Sequence, residues 1–442
     1  MITYSYRKIA DISWPLILGM VIQTLIGTTD TIFLGRVGEV ELGACAIGGL
    51  FYLLVYMVEQ GFATGGQILM ARRFGHCTTY HNKKIGRIFW LTSNVLFVLS
   101  IAAIIIIYFI AQPILRLTIA DKLLQTAIWI YAMPRCVGLI FSGIKSVISG
   151  FLVAINITRH IAISSIILLV ANVGLDWWLI FGGLGIEPMG LKGAAIASVL
   201  AEAISTLYLI VAIIININLK RYGITKFIWW HTSLFKEIMC MSSYIMLLSF
   251  LGWGTWLYFF VEIEKLGVEA LAISNILKSM LTFLCVISGA LATVTTSVVS
   301  TLIGAEKNKE VLPTLQRIFK FGAIPYYGGF LALALFPRFF LKLFTDDVEL
   351  IEHSVKPLYT MLLANLIILP EAIYYYALFG ANKLKFALGI EIFASVIYIA
   401  AIRIIIGIIQ ADLEWCYMVD LLYYASALPP AYWYMKSGRW EK

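Results

Sequence analysis

Charge is what this chain has least of. Only 13% of its 442 residues are Asp, Glu, Lys or Arg, and 61% are hydrophobic. The mean hydropathy of +0.90 lies well outside the range of soluble globular domains, so the chain reads as an integral membrane protein. The signatures of soluble enzymes are missing too: no GxxxxGK[ST] phosphate loop, no dinucleotide-binding glycine fingerprint opening a helix after a strand, no HExxH. Cysteine is sparse and scattered. Cys45, Cys77, Cys136, Cys240, Cys285 and Cys416 form no close pair, so neither a disulfide frame nor a zinc site is expected. The five histidines fall in loops or at the ends of apolar runs, so a buried histidine catalyst or metal site is not expected. The net charge of +8 then reflects the positive-inside bias of membrane proteins and not affinity for nucleic acid.

What the chain does have is apolar runs long enough to cross a bilayer. About twelve are expected, at 12–35, 46–71, 88–111, 124–146, 160–181, 190–217, 238–261, 270–302, 318–340, 356–380, 384–409 and 414–435. Period-2 alternation is weak, so the fold class is an all-α integral membrane protein and not a barrel. Residues 1–11 lead into a full-length span without a small-residue cleavage site, and the first helix is expected to remain. With the N-terminus in the cytoplasm, the inner segments carry 21 of the 33 Lys and Arg, including Arg72, Arg73, Lys83, Lys84, Arg87 and Lys442. Nine fall outside, Arg135 among them, so both termini are expected to be cytoplasmic.

The two halves resemble each other. Gly38, Leu42 and Gly75 recur 229 residues later as Gly267, Leu271 and Gly304, and Gly150 recurs at Gly380. A six-span offset gives both copies the same orientation, a parallel repeat about an axis along the membrane normal. The expected division is a six-helix lobe at 1–217, a cytoplasmic linker at 218–236 and a second six-helix lobe at 237–442.

Charged groups inside the spans are few, and each needs a partner, a proton or water. Asp176 lies in the fifth span with Asn172 four residues earlier on the same helix face. Asp30 lies in the first span with Gln23 seven residues before it, again on one face. Neither helix has a Lys or Arg near its acid, and the two acids are expected to share a cation site, with Asn172 and Ser198 completing a set of oxygen ligands. Hard oxygens suit Na⁺ at Asp30, Asn172 and Asp176, while two close acids also trap one proton. A second acidic site is offered by Glu262 and by Glu371, which follows Pro370 in the tenth span; the competing reading pairs Glu371 with Lys278. Glu59, Lys145, Glu202, Glu391 and Arg403 read as structural pairs or snorkelling ends.

At these residues the chain resembles the multidrug and toxic compound extrusion (MATE) transporters. The likeness rests on Pro15-x7-Gln23-x6-Asp30-x4-Gly35-x2-Gly38, on Asn172-x3-Asp176-x4-Phe181-Gly182, on Gly193-Ala194-Ala195-x2-Ser198 and on Glu371-x8-Gly380-x-Asn382. It implies a V-shaped pair of six-helix bundles in a bacterial cytoplasmic (inner) membrane, working as a secondary antiporter. Such a protein expels organic, often cationic compounds in exchange for H⁺ or Na⁺ and is not an enzyme. The branch with Asn-x3-Asp in the fifth span implies coupling at Asp30 and Asp176, with Gln23 and Asn172 as hydrogen-bonding neighbours and Ser198 where relatives often have Thr. Another branch implies coupling at Glu262 and Glu371. No cofactor beyond the coupling ion is expected; the partners are drug-like small molecules and the bilayer, and the chain is expected to act as a monomer. The runner-up is a lipid-linked oligosaccharide flippase of the same superfamily, which would favour a strongly cationic cavity where these candidates are net acidic. A membrane-embedded transferase would need a polar catalytic cluster and a substrate loop, and no cytoplasmic loop offers one.

Overall fold

A computed structural model describes residues 3–119, 121–183 and 185–441; Lys442, counted above with the inner charges, lies outside them. Among the described residues the chain is helical, and eleven helices are long and apolar enough to cross a membrane. A twelfth, α16 (Met418–Lys436), occupies the last expected span but is less apolar, carrying Asp420, Pro429 and Pro430.

Two compact units are distinguished. The first runs from Trp14 to Met246. It holds most of α1 (Tyr6–Gly35), then α2 (Glu39–Gly75), α3 (Thr79–Thr118), α4 (Lys122–Ala154), α5 (Arg159–Phe181), α6 (Gly190–Asn216), the short α7 (Leu219–Tyr222) and the start of α8 (Thr232–Glu264). Local chemistry sets several of these ends. Thr78 accepts from the His81 amide to start α3, Asp121 accepts from the Leu123 amide to start α4, and Glu39 and Glu41 sit at the N-terminal turn of α2 with Arg72 and Arg73 at its last. Helix α4 packs against α2, α3 and α6, and α6 lies against α5. The α5–α6 contact depends on Gly193, where a Cβ would stand 2.5 Å from the Leu179 carbonyl oxygen. Small residues there let two backbones meet, which is how membrane helices gain packing without a hydrophobic driving force between them.

The connection after α6 is fastened to α3. Trp90 Nε1 donates to the Ile224 carbonyl at 2.7 Å, and Asn94 Nδ2 donates to those of Ile228 and Trp229, both at 2.9 Å. Backbone groups outside a helix are thereby satisfied by side chains instead of being left bare.

The second unit comprises Leu247 onwards together with the segment up to Ser13. It contains the remainder of α8, α9 (Val268–Gly304), α10 (Val311–Leu335), α11 (Pro337–Leu341), α12 (Val348–Asn365), α13 (Ile368–Gly380), α14 (Leu384–Ile402), α15 (Leu413–Cys416) and α16. Helix α13 packs on α9 and α16, and α14 on α16. The tenth expected span is interrupted between α12 and α13. Pro370 has no amide hydrogen to bond the Leu366 carbonyl, so the ladder opens there. The loosened carbonyls find tyrosines: Tyr326 donates to Asn365 at 3.0 Å and Tyr327 to Leu366 at 3.1 Å, both from α10.

The internal repeat is visible in each unit's own geometry. Helices α2 and α9 are both 37 residues long and end at Gly75 and Gly304. Two residues on, each chain passes through a left-handed residue, Cys77 at φ 54° and Glu306 at φ 57°.

Candidate functional site

Asp30 lies near the end of α1, and Asn172 and Asp176 lie one turn apart on α5. The first unit brings them together: the Asp30 and Asp176 side chains meet, and Asn172 adjoins both. Asp176 is fully buried and Asn172 nearly so, with Asp30 partly accessible. Leu34, one turn beyond Asp30, and Ile180, one turn beyond Asp176, belong to a buried apolar cluster with Ala44, Tyr131, Ala194 and Ala195.

Both oxygens of Asp176, Oδ1 of Asp30 and both amide atoms of Asn172 are buried without a hydrogen-bond partner of standard geometry. Five such atoms at one point are unusual, because buried polar groups are nearly always bonded. Two ionised carboxylates cannot face each other in an apolar wall at low cost, and a proton between them or a cation beside them supplies what is missing. The donor set of two carboxylates and one amide is all hard oxygen on its acceptor side, which fits H⁺ or Na⁺ and no soft metal. Among the described residues no group of three or more His, Cys, Asp or Glu gathers as a metal site.

The other expected members of this site stand elsewhere. Gln23 is exposed, and its amide points to the Tyr56 hydroxyl on α2 at 3.4 Å rather than to Asp30. Ser198 is buried on α6 but makes no hydrogen bond to either acid. Arg135, placed outside by the charge count, is within α4, its guanidinium 2.8 Å from Glu202 Oε1 and in electrostatic reach of Asp30 and Asp176. The absence of a base on α1 and α5 themselves does not leave the acids remote from one. The signal available was the span at 124–146, which encloses Arg135 and demanded a partner for it. Glu202 is that partner, as its reading as half of a structural pair expected.

In the second unit Glu262, Glu371 and Lys278 do not converge. Glu262 ends α8 with Lys265 Nζ at 2.8 Å and Arg403 Nη1 at 3.9 Å. Lys278 lies over the Trp256 ring at 4.4 Å and forms no ion pair with Glu371, which corrects the competing reading that paired them: an aromatic face, not a carboxylate, holds this ammonium. Glu371 is in electrostatic reach of Glu391, which accepts from Tyr375 at 2.9 Å and from Tyr423 at 2.6 Å. Glu391 and the fully buried Glu59 are thus held by hydroxyls and not by bases; Glu59 accepts from Ser100 at 2.7 Å and Ser142 at 2.9 Å.

A helical chain with eleven helices long and apolar enough to cross a membrane, and with an acid pair buried between two of them, belongs to the class of multi-pass membrane proteins. The particular family follows from the sequence profile of MatE, which matches residues 15–178 and again 239–404: the chain belongs to the MatE family. The two matches restate the internal repeat. Among curated relatives, a probable multidrug resistance protein NorM of Agrobacterium fabrum is 26% identical over 49% of this chain and 46% of its own length. The multidrug resistance protein NorM of Photobacterium profundum is 23% identical over 61% and 56%. A probable NorM of Photorhabdus laumondii is 22% identical over 77% and 74%. The chain thus spans about half the length of the first two relatives. Among solved structures, an outward-facing multidrug resistance MATE family transporter of the MOP superfamily matches 99% of this chain and 97% of its own, with TM-score 0.89 and 17% identity. MATE in complex with MaL6 matches 98% and 95%, with TM-score 0.87 and 17% identity. At that identity the likeness establishes the fold.

Proposed function

We propose that this protein is a secondary antiporter that exports drug-like organic compounds, often cationic, across a bacterial inner membrane in exchange for H⁺, with both termini in the cytoplasm. The observation that carries this reading is the meeting of Asp30 and Asp176 beside Asn172 with five buried atoms lacking partners. A proton is the simpler coupling ion, because one proton bonds two touching carboxylates, whereas Na⁺ must assemble several oxygens around itself. An ion taken up from outside cancels one of the pair's two charges, and its loss returns a negative charge to this cluster that a cationic substrate can use. Exchange follows provided ion and substrate bind the inward- and outward-open states unequally. A flippase of the same superfamily would call for a strongly cationic cavity, which this acid pair does not supply.

Everted vesicles carrying the full chain test the reading. Asp30→Asn and Asp176→Asn are expected to abolish substrate-dependent dissipation of a pH gradient while the protein still inserts. Undiminished transport in both variants overturns the assignment, and transport that follows added Na⁺ in place of the pH gradient replaces the proton with sodium.

A further inference from the structure

A full positive charge inside a membrane-spanning helix needs a partner, and that of Arg135 is built with care. Glu202 Oε1 receives Arg135 Nη1 at 2.8 Å and the Tyr52 hydroxyl at 2.9 Å. The Tyr52 ring lies 3.8 Å from the guanidinium carbon, adding a cation–π face. The pair crosses α4 over Gly138, where a Cβ would sit 2.6 Å from Glu202 Oε2 and 3.0 Å from Arg135 Nη1. Yet the clamp is incomplete: Glu202 Oε2 is buried with no hydrogen bond, so the guanidinium engages its acid through one oxygen, not the stronger two-pronged form. Arg135 is also in electrostatic reach of Asp30 and Asp176, whose buried oxygens lack donors. Two sets of acid oxygens therefore compete for one guanidinium on a long, flexible stem.

We propose that Arg135 is a tethered counter-cation of the Asp30–Asp176 site. Glu202 and Tyr52 hold it clear while the acid pair carries its ion, and it turns onto the pair when the ion leaves. This rests on the coupling role given above to Asp30 and Asp176. A vacated pair of bare carboxylates would be costly at this depth, and a turn of Arg135 toward them trades two facing charges for the single carboxylate of Glu202, which keeps the Tyr52 hydroxyl, without a second ion from solution. The clamp then sets ion affinity, because each ion that binds must displace Arg135 back to Glu202. Arg135 acts here as a positioning residue and not as a ligand of the transported ion. The other ionisable groups in electrostatic reach of these charges include Cys45 and Tyr131 near the acid pair, Tyr56, Lys145 and Glu59 near Glu202, and Cys136 near Arg135.

The test is ion binding by the purified full chain in lipid nanodiscs, with protons titrated against a pH indicator and Na⁺ by tryptophan fluorescence. Glu202→Gln removes the clamp's charge, and Gly138→Ala dislodges the pair while keeping every charge. Both are expected to weaken ion binding about tenfold, or about 1.4 kcal/mol, because the freed guanidinium occupies the acids. Adding Arg135→Gln to either background is expected to restore affinity to wild type or above, a rescue that a merely structural pair would not give. Weakening that Arg135→Gln fails to relieve, or affinity unchanged in Gly138→Ala and Glu202→Gln alike, overturns the proposal. Gly138→Ala keeps the experiment decisive if Glu202→Gln does not fold. Asp30→Asn and Asp176→Asn separate the two levels: ion binding that survives them refutes the coupling site itself, whereas loss in them with no effect at Glu202 or Gly138 refutes only the counter-cation.

Discussion

Replacing Asp176 with Asn is expected to stabilise the protein while it stops transport. Asp176 contributes two buried oxygens with no hydrogen bond of standard geometry, and its neighbours Asp30 Oδ1 and Asn172 Oδ1 have none either. An asparagine there brings two N–H donors of nearly the same shape, aimed at the acceptors that now go unserved, and removes one of two facing charges. Each buried polar atom left unsatisfied costs about 1–3 kcal/mol, so meeting even one of them is worth about that much. For a unit the size of Trp14–Met246, each kcal/mol moves the unfolding midpoint by about 2–4 °C. Scanning fluorimetry at one fixed rate, in matched detergent, reads this shift from the chain's 12 tryptophans. The same preparation in proteoliposomes reads transport. A lower midpoint with transport intact would refute the reasoning, since it would make Asp176 a structural acid whose charge the fold requires.

Two further outcomes test the scaffold around the site. Gly193→Leu is expected to cost about 1–3 kcal/mol or somewhat more by overpacking, because its Cβ meets the Leu179 backbone at 2.5 Å, whereas Gly389→Leu, whose Cβ would meet nothing within 4 Å and which sits inside α14, should not lower the unfolding midpoint. Tyr326→Phe strips the Asn365 carbonyl of its buried donor and is expected to cost about 1–2 kcal/mol, with faster hydrogen exchange around residues 365–371; equal exchange in wild type and variant would show that the break before Pro370 does not need that hydroxyl.

How much of this was legible in advance depended on whether a feature is local. Span positions follow from runs of apolar residues, and the acids at 30 and 176 stand out because charge at span depth is rare whatever surrounds it. Asn172 and Asp176 share a face by helical period alone. The partners did not follow. Gln23 shares a face of α1 with Asp30, yet its seven-residue spacing places it two turns away, where Tyr56 of another helix is nearer. The competing reading paired Lys278 with Glu371 by charge sign, but an ammonium beside an indole gains from the ring without giving up all its water, and only the tertiary structure brings Trp256 of α8 to it.

The amino-acid order by itself determined the membrane class, the helical form, the doubled architecture and the two stranded acids, because each of these is written in composition, in period or in a repeated spacing. Only the tertiary structure decided that the acids meet, that Arg135 comes within electrostatic reach of them in the grip of Glu202 and Tyr52, and that a glycine on α4 makes room for that grip. These are contacts among α1, α2, α4, α5 and α6, separated by up to about 170 residues of chain. Which of several buried charges meets which is fixed by how helices cross, and no spacing within a single helix encodes it.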